Sequence, residues 1–229
     1  MSDTFLHYTR QGAGPPLLLL HGNGEDHTYF EHQMEPFSEH FRVLCPDTRG
    51  HGQTPRGIRP FTLEQFADDL KSFLDRMQIQ KCHLLGFSDG GNIAMLFALK
   101  YPGYVDKMIL NGANLDPQGI KRSVQLPILA GWALCDVCAL FSKGAKRNWE
   151  MLDLMVSQPY ITKEALGRLR MPVLVVAGEK DMILEEHTRA IGRALLWGKV
   201  KILPGDHFVA RKNSAAFNEA VLEFLIEET

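Results

Sequence analysis

The chain has few of the features that mark a membrane or secreted protein. Its longest uninterrupted apolar runs are far too short to span a bilayer. The first residues, Met1-Ser2-Asp3-Thr4, are polar and acidic with no apolar core directly after them, unlike a secretory leader. We therefore expect a cytoplasmic protein that does not bind a membrane.

An excess of positive charge is also missing. The 25 Lys and Arg residues stand against 27 Asp and Glu residues, so the formal net charge is −2. No basic stripe is interleaved with aromatic residues, as it would be in a protein that binds nucleic acid. We therefore expect no nucleic-acid partner.

Cysteine is scarce, with four residues in the whole chain. Cys135 and Cys138 have the spacing of a redox pair or of half a zinc site. The sequence holds no second pair of this kind, and Cys45 and Cys82 lie in apparent strands. The pair also lies in an apolar helical stretch, whereas a redox pair would follow a strand. We expect four buried free thiols and no metal site.

A glycine-rich turn carries the first sign of chemistry. Gly86-Phe87-Ser88-Asp89-Gly90 follows the apolar run at residues 83–85 and precedes a predicted helix at residues 92–100. A serine on a sharp strand-to-helix turn is exposed, and the N–H groups of the following helix favour negative charge beside it. Taken alone, the pentapeptide is better explained as a glycine-rich loop before a helix, but three other segments agree with it in the right order.

A second apolar strand, Leu17-Leu18-Leu19-Leu20, runs into the turn His21-Gly22-Asn23-Gly24. Such a turn leaves backbone N–H groups free of secondary structure, so it can stabilise a developing oxyanion. Without the serine turn, His21-Gly22 is explained equally well as an ordinary strand exit.

Two further strands are followed by a carboxylate and a histidine. Asp181 comes just after the apolar run at residues 172–177, and His207 follows a short last strand that ends in Pro204-Gly205. Working residues of open α/β sheets gather at the carboxyl ends of the strands. Asp181 could instead cap the segment after it, and Glu179 is a second candidate for the acid. We favour Asp181 because its position past the strand allows it to point back at the site.

The order Ser88, Asp181, His207 resembles the α/β-hydrolase superfamily, in which the nucleophile, acid and histidine follow one another in this order. Asp47-Thr48-Arg49-Gly50-His51-Gly52 is similar to a further turn of that family. The resemblance covers nearly the whole chain, although the first strand of the fuller family pattern is not evident. It implies that Ser88 attacks, that His207 acts as general base and that Asp181 orients the histidine. The backbone N–H groups of Asn23 and Asp89 would form the oxyanion hole, the Asp89 carboxylate having only a capping role.

Apolar runs alternate with helix-like stretches, which predicts a doubly wound, mostly parallel α/β sheet in a single domain, residues 1–229. The strands are centred near residues 17, 43, 84, 109, 173 and 200. The helices are predicted at residues 28–40, 62–77, 92–100, 185–197 and 214–227. Thr62 and Gln65 have the spacing of a capping box at the start of one helix.

Residues 115–169 interrupt this alternation, and we interpret them as a small helical cap over the strand ends. Trp132, Trp149 and Met155 are candidates for contact with an apolar substrate, although each could simply bury the cap against the sheet. The basic cluster Lys143, Lys146 and Arg147 is consistent with a solvated helix face or with the attraction of an acidic substrate. Glu25 and Asp26, beside the first turn, would repel an anion, and the sequence leaves the two interpretations open.

The expected activity is hydrolysis of a small, largely apolar carboxylic ester, thioester or lactone through an acyl-enzyme, without a cofactor or metal. The expected partner is thus a small-molecule substrate; oligomeric state is left open. Cleavage of a carbon–carbon bond in a diketone-like substrate is the alternative reaction, and a binding protein that has lost catalysis is the alternative class. A serine at position 88 disfavours relatives that need an aspartate nucleophile.

Overall fold

The computed structural model describes residues 3–227 and contains one seven-stranded sheet. The strands are β1 Tyr8–Gln11, β2 Pro16–Leu20, β3 Arg42–Pro46, β4 Cys82–Phe87, β5 Val105–Asn111, β6 Val173–Lys180 and β7 Gly198–Asp206. Their order across the sheet is β1-β3-β2-β4-β5-β6-β7, and every neighbouring pair is parallel except β1 with β3. The predicted doubly wound, mostly parallel sheet is therefore confirmed.

The helices connect these strands. They are α1 Glu31–Ser38, α2 Leu63–Arg76, α3 Asp89–Lys100, α4 Arg122–Ala139, α5 Lys143–Ser157, α6 Lys163–Leu166, α7 Glu185–Ala194, α8 Val209–Lys212 and α9 Ser214–Ile226. Short 3-10 turns lie at His27–Phe30, Pro102–Tyr104 and Pro117–Gly119. None of these helices, within the described range, is both long and apolar enough to cross a bilayer.

Side chains alternate between the two faces of the central strands and form a separate core on each face. Leu18, Leu20 and Leu84 join a cluster with residues of α2, α3 and α7. Leu17, Leu19 and Leu85 join a second cluster with residues of α1, α8 and α9. Because both faces are covered, β2 and β4 are continuous apolar runs, as parallel strands buried on two sides must be.

Helix α2 begins where the sequence predicts. The Thr62 hydroxyl accepts the Gln65 backbone N–H at 3.2 Å. The Gln65 side chain does not complete the predicted capping box, because it donates to Asp69 Oδ1 at 3.0 Å. Asp69 also binds the buried Arg49 guanidinium, with Nε 2.7 Å from Oδ2, so the Gln65 side chain is hydrogen-bonded to an internal ion pair.

The predicted helix over residues 28–40 is shorter in the structure. A 3-10 turn occupies His27–Phe30, and α1 covers only Glu31–Ser38. Asp26 causes the early start, because its Oδ1 accepts the Thr28 backbone N–H at 2.8 Å and caps the turn.

The expectation of four buried thiols is wrong for two of them. Cys45 and Cys82 are buried in the sheet, whereas Cys135 is half-buried and Cys138 is exposed. Both of the latter lie on α4, no residue of which is buried. Burial raises the pKa of Cys82 to about 12, which makes this thiol unreactive.

Candidate active site

Ser88 lies on the turn between β4 and α3, in a backbone conformation that side chains rarely adopt. Its φ is 52° and its ψ is −120°. The turn is possible because glycine stands on each side: a Cβ at Gly86 would lie 2.3 Å from the Gly90 carbonyl oxygen, and one at Gly90 would lie 2.0 Å from the Leu20 carbonyl oxygen. Such strain persists only where the surrounding structure enforces it, and it is common at sites of function.

Asp181 and His207 meet Ser88 at the carboxyl ends of β6, β7 and β4, with β5 lying between β4 and β6. His207 Nδ1 lies 2.7 Å from Asp181 Oδ1, and His207 Nε2 lies 3.1 Å from Ser88 Oγ. Asp181 and His207 are only 2% and 5% exposed. Since an ionised carboxylate can only accept, Nδ1 carries the proton and the Nε2 lone pair faces the serine hydroxyl.

The carboxylate has the two roles that the sequence offered as alternatives. Asp181 Oδ1 also accepts the Ile183 backbone N–H at 2.9 Å, so it caps the following segment while it holds His207. Glu179, the competing candidate, is exposed at the end of β6. The structure thus brings Asp181, rather than Glu179, to the histidine.

Gly112 is a component of the site that the sequence analysis missed. It follows β5 with a φ of +61°, and a Cβ there would lie 2.7 Å from His207 Cε1. The imidazole therefore packs against a bare backbone. A glycine directly after a buried strand is the signal that could have found it, although many strand exits share that feature.

His21 shapes the turn that precedes Asn23. Its Nε2 accepts the Thr48 backbone N–H at 3.0 Å, so Nδ1 carries the proton and donates to the Gly22 carbonyl at 2.8 Å. Burial lowers the pKa of His21, which keeps the ring neutral. The sequence analysis assigned His21 to the turn that follows a strand. It did not predict the contact of His21 with Thr48.

The two amides that the sequence assigns to an oxyanion hole lie on the turn and on the helix next to the serine. The Asn23 backbone N–H has no acceptor within residues 3–227, and Asp89 is the first residue of α3, where no intrahelical acceptor exists. The Asn23 side chain is held by α5, because its Nδ2 donates to the Met151 carbonyl at 2.7 Å.

Two carboxyl groups beside the site, those of Glu25 and Asp89, have pKa values above their ordinary values. Glu25 Oε2 accepts the Gly22 backbone N–H at 3.2 Å, and burial raises the pKa of Glu25 to about 7. Burial also raises the pKa of Asp89 to about 6, against the opposing hydrogen bond from Asn92. The expected repulsion of anions by Glu25 is therefore weakened near neutral pH.

The three predicted substrate contacts lie on α4 and α5 and are half-buried. The Trp132 and Trp149 ring centroids are 6.4 Å apart, and the Trp132 indole N–H donates to Asp153 Oδ1 at 3.0 Å. Met155 lies one turn of α5 beyond Met151. The two indole rings are neighbours on paired helices, and contact of the three residues with substrate stays a prediction.

One group of side chains has the composition of a metal site. The possible ligand atoms of His7, His27 and Asp47 lie within 4.8 Å of one another. Asp47 is already held, however, since its oxygens accept from both imidazoles and from the backbone N–H groups of His27 and Gln53 at 2.8–2.9 Å. These contacts satisfy a buried carboxylate without an ion.

Taken together, the geometry joins a serine hydroxyl, an imidazole and a buried carboxylate through two hydrogen bonds. An imidazole that is fixed by a carboxylate can remove the serine proton as the hydroxyl attacks an acyl carbon. The same proton can then pass to the leaving group.

Sequence comparison identifies related proteins over most of the chain. A family model described as the alpha/beta hydrolase fold matches residues 15–133. An AB hydrolase superfamily protein of Bacillus subtilis, YisY, is 38% identical over 205 residues, which is 75% of this chain and 76% of that protein. The human serine hydrolase BPHL is 29% identical over 245 residues, 96% of this chain and 82% of that protein.

A longer relative matches only in part. An uncharacterised protein of Mycobacterium tuberculosis is 32% identical over 120 residues, so the match covers 51% of this chain but 35% of the mycobacterial protein. The chain therefore spans about a third of the length of this relative.

Solved structures share the architecture. The enol-lactonase from Burkholderia xenovorans superposes with a TM-score of 0.83 at 23% identity, covering 98% of this chain and 97% of the other. A meta-cleavage product hydrolase from Pseudomonas fluorescens, CumD, superposes with a TM-score of 0.79 at 21% identity, covering 97% and 94%. At these identities the likeness shows the fold.

Proposed function

Because this chain belongs to the alpha/beta hydrolase superfamily, we propose that it is a serine hydrolase that cleaves a small, largely apolar carboxylic ester, thioester or lactone. The observation that carries the proposal is the single imidazole of His207, which bridges a buried carboxylate at 2.7 Å and a serine hydroxyl at 3.1 Å. The naming of a human relative as a serine hydrolase supports the same chemistry.

The first step would form an acyl-enzyme. Ser88 Oγ attacks the acyl carbon while its proton moves to His207 Nε2, and Asp181 stabilises the imidazolium that results. The tetrahedral oxyanion is held by the Asn23 and Asp89 backbone N–H groups, the second of which lies at the positive end of the α3 dipole. Collapse of the intermediate releases the alcohol or thiol, which takes the proton from Nε2.

The second step would return the enzyme to its starting state. A water molecule gives a proton to His207 Nε2 and its oxygen attacks the acyl carbon, forming a second oxyanion in the same place. Expulsion of Ser88 Oγ, which recovers the proton, frees the carboxylic acid.

The surroundings support an apolar acyl group. The Phe87 ring lies 4.8 Å from the His207 ring, and Phe208 lies 5.7 Å from Phe87. Trp132 and Trp149 lie on the helices between β5 and β6, which we propose form a cap over the strand ends. An apolar acyl chain gains free energy by leaving water beside such aromatic side chains.

The nucleophile can be tested without knowledge of the substrate. We expect a small fluorophosphonate to form one adduct, on Ser88, detected by intact mass and peptide mapping. The Ser88→Ala variant should fold and take no adduct. An adduct on another residue, or the same adduct in the variant, would contradict the assignment.

A folded protein without any adduct would favour the non-catalytic alternative. Access to the serine can be checked separately by comparing fluorophosphonates of increasing size. If the smallest also fails to react, Ser88 is not activated. If it does react, a panel of esters with graded chain length then tests the acyl preference.

A further inference from the structure

Helix α4 carries an apolar stripe that faces solvent. Leu126, Leu129, Ala130, Ala133, Leu134 and Val137 are all exposed and share one side of the helix. At 3.6 residues per turn they lie within about 140° of its circumference. The stripe continues into the turn after α4, where Leu140 is 79% exposed and Phe141 is 88% exposed.

The opposite side of α4 is also apolar. Trp132 and other side chains of that side are turned toward α5 and are half-buried. A helix that is apolar all round is normally buried all round. An exposed apolar face of this length, roughly 17 Å from Leu126 to Val137, therefore indicates a surface that is covered when the protein works.

The charges around the stripe are predominantly positive. Between residues 121 and 149 the sequence has five cations, Lys121, Arg122, Lys143, Lys146 and Arg147, and one carboxylate, Asp136. Arg122, Lys143 and Lys146 are exposed, and no carboxylate within residues 3–227 forms an ion pair with them. The next carboxylate, Glu150, is bound by Arg56 at 2.7 Å.

This pattern disfavours a second copy of the chain as the covering partner. In a symmetric dimer the same stripe packs on itself, either parallel or antiparallel. The parallel arrangement brings Lys143 and Lys146 against their own copies, and the antiparallel one brings them against Arg122. Cations face cations in both cases.

We propose that the stripe and its flanking cations dock this protein on an anionic lipid surface, with α4 lying along the interface. Leu140 and Phe141 enter the boundary of the acyl chains, and Arg122, Lys143 and Lys146 remain among the anionic headgroups. A helix with an apolar face beside lysine and arginine side chains binds lipid surfaces in this way without crossing them. The expectation that no membrane is bound rested on the lack of a run that spans a bilayer, and a surface helix needs no such run.

The proposal is independent of catalysis and can be tested by flotation of the full chain with lipid vesicles. We expect binding to vesicles of phosphatidylcholine mixed with phosphatidylglycerol, weak binding to phosphatidylcholine alone, and loss of binding as salt is raised. Replacing both Leu140 and Phe141 by serine should weaken binding roughly tenfold or more. Ile58→Ser is the matched control, because Ile58 is 93% exposed and belongs to the loop between β3 and α2 rather than to α4.

A second variant separates the electrostatic part. Changing both Lys143 and Lys146 to glutamine should weaken binding to the anionic vesicles roughly tenfold while binding to neutral vesicles stays the same. Circular dichroism checks that each variant folds. Absence of binding to anionic vesicles overturns the proposal, as does equal binding to both vesicle types. A dimer that is dissociated by the Leu140 and Phe141 changes, without vesicle binding, assigns the stripe to a second copy instead.

Discussion

At the scale of single residues, Asp181 uses one oxygen for two contacts. Oδ1 accepts from His207 and from the Ile183 backbone N–H, while Oδ2 has no hydrogen-bond partner within residues 3–227. The carboxylate is thereby fixed in orientation by the backbone before it acts on the imidazole. A change of this side chain should affect the tautomer of His207 more than the position of its ring.

We expect Asp181→Asn to lower turnover by about four orders of magnitude, because an amide at this position favours the tautomer with the proton on Nε2. Hydrolysis of p-nitrophenyl acetate and the rate of phosphonylation of Ser88 both measure the loss. Glu179→Gln is the matched control and should leave both rates near those of the unchanged protein. A large loss in the Glu179 variant, with a small one at Asp181, would transfer the acid role.

At the scale of elements, the start of α2 depends on one hydroxyl. The Thr62 side chain accepts the Gln65 backbone N–H, and the Gln65 side chain is engaged elsewhere. Leu63, Phe66 and Leu70 of this helix are buried in the core on the face of the sheet that α2, α3 and α7 cover. The cap therefore fixes the first turn of a helix that packs against α3, which follows the serine.

Replacing Thr62 by alanine should destabilise the protein by about 1 kcal/mol, because one N–H of the first turn loses its acceptor. The midpoint of urea unfolding should fall with no change in the slope of the transition. Thr62→Ser keeps the hydroxyl and should restore most of the stability. Equal losses in the two variants would mean that the methyl group, rather than the cap, stabilises this turn.

Several elements could be predicted from the sequence because their signals are local. The buried parallel strands are unbroken apolar runs, and the glycines at positions 86 and 90 mark the turn at Ser88. Strand β1 was not evident as part of the sheet because its residues, Tyr8–Gln11, are mostly polar and its pairing with β3 is antiparallel. That pairing is fixed by contacts distant in sequence.

In the candidate site, too, features with a local signal could be predicted and contacts between distant segments could not. The order of Ser88, Asp181 and His207 could be predicted, since each follows a recognisable strand. The contact of His21 with Thr48 and the close approach of Gly112 to His207 could not, because each joins segments that only the folded sheet brings together. The raised pKa of Asp89 depends on burial, which the polarity of the residue conceals.

At the scale of the whole molecule, the buried acids of the site make stability depend on pH. Glu25 has a pKa of about 7 in the folded protein against 4.5 as the ordinary value. The folded state therefore holds more protons than the unfolded state between these limits, and stability falls as pH rises through them. Asp89, with a pKa of about 6 against 3.8, acts in the same direction.

We expect Glu25→Gln to gain stability relative to the unchanged protein as pH rises from about 4.5 to about 7, and the gain to level off above that window. Melting temperatures measured across the range give the difference directly. Asp26→Asn is a neighbouring control of opposite sign: its hydrogen bonds with Thr28 lower the pKa of Asp26, so this variant should lose relative stability as pH rises toward 3.8 and show no further change between about 4.5 and about 7. A difference for Glu25→Gln that does not vary with pH would show that this carboxyl titrates normally.

The distance along the chain between Ser88 and His207 has a consequence for synthesis. The two residues are 119 positions apart, and Asp181 and His207 come from the last two strands of the sheet. During translation, the serine turn and its helix can form long before the histidine has left the ribosome. The nascent chain would thus carry Ser88 without its general base. Reactivity of Ser88 would appear only when the carboxyl-terminal strands have joined the sheet. Labelling of that serine would then report completion of the fold.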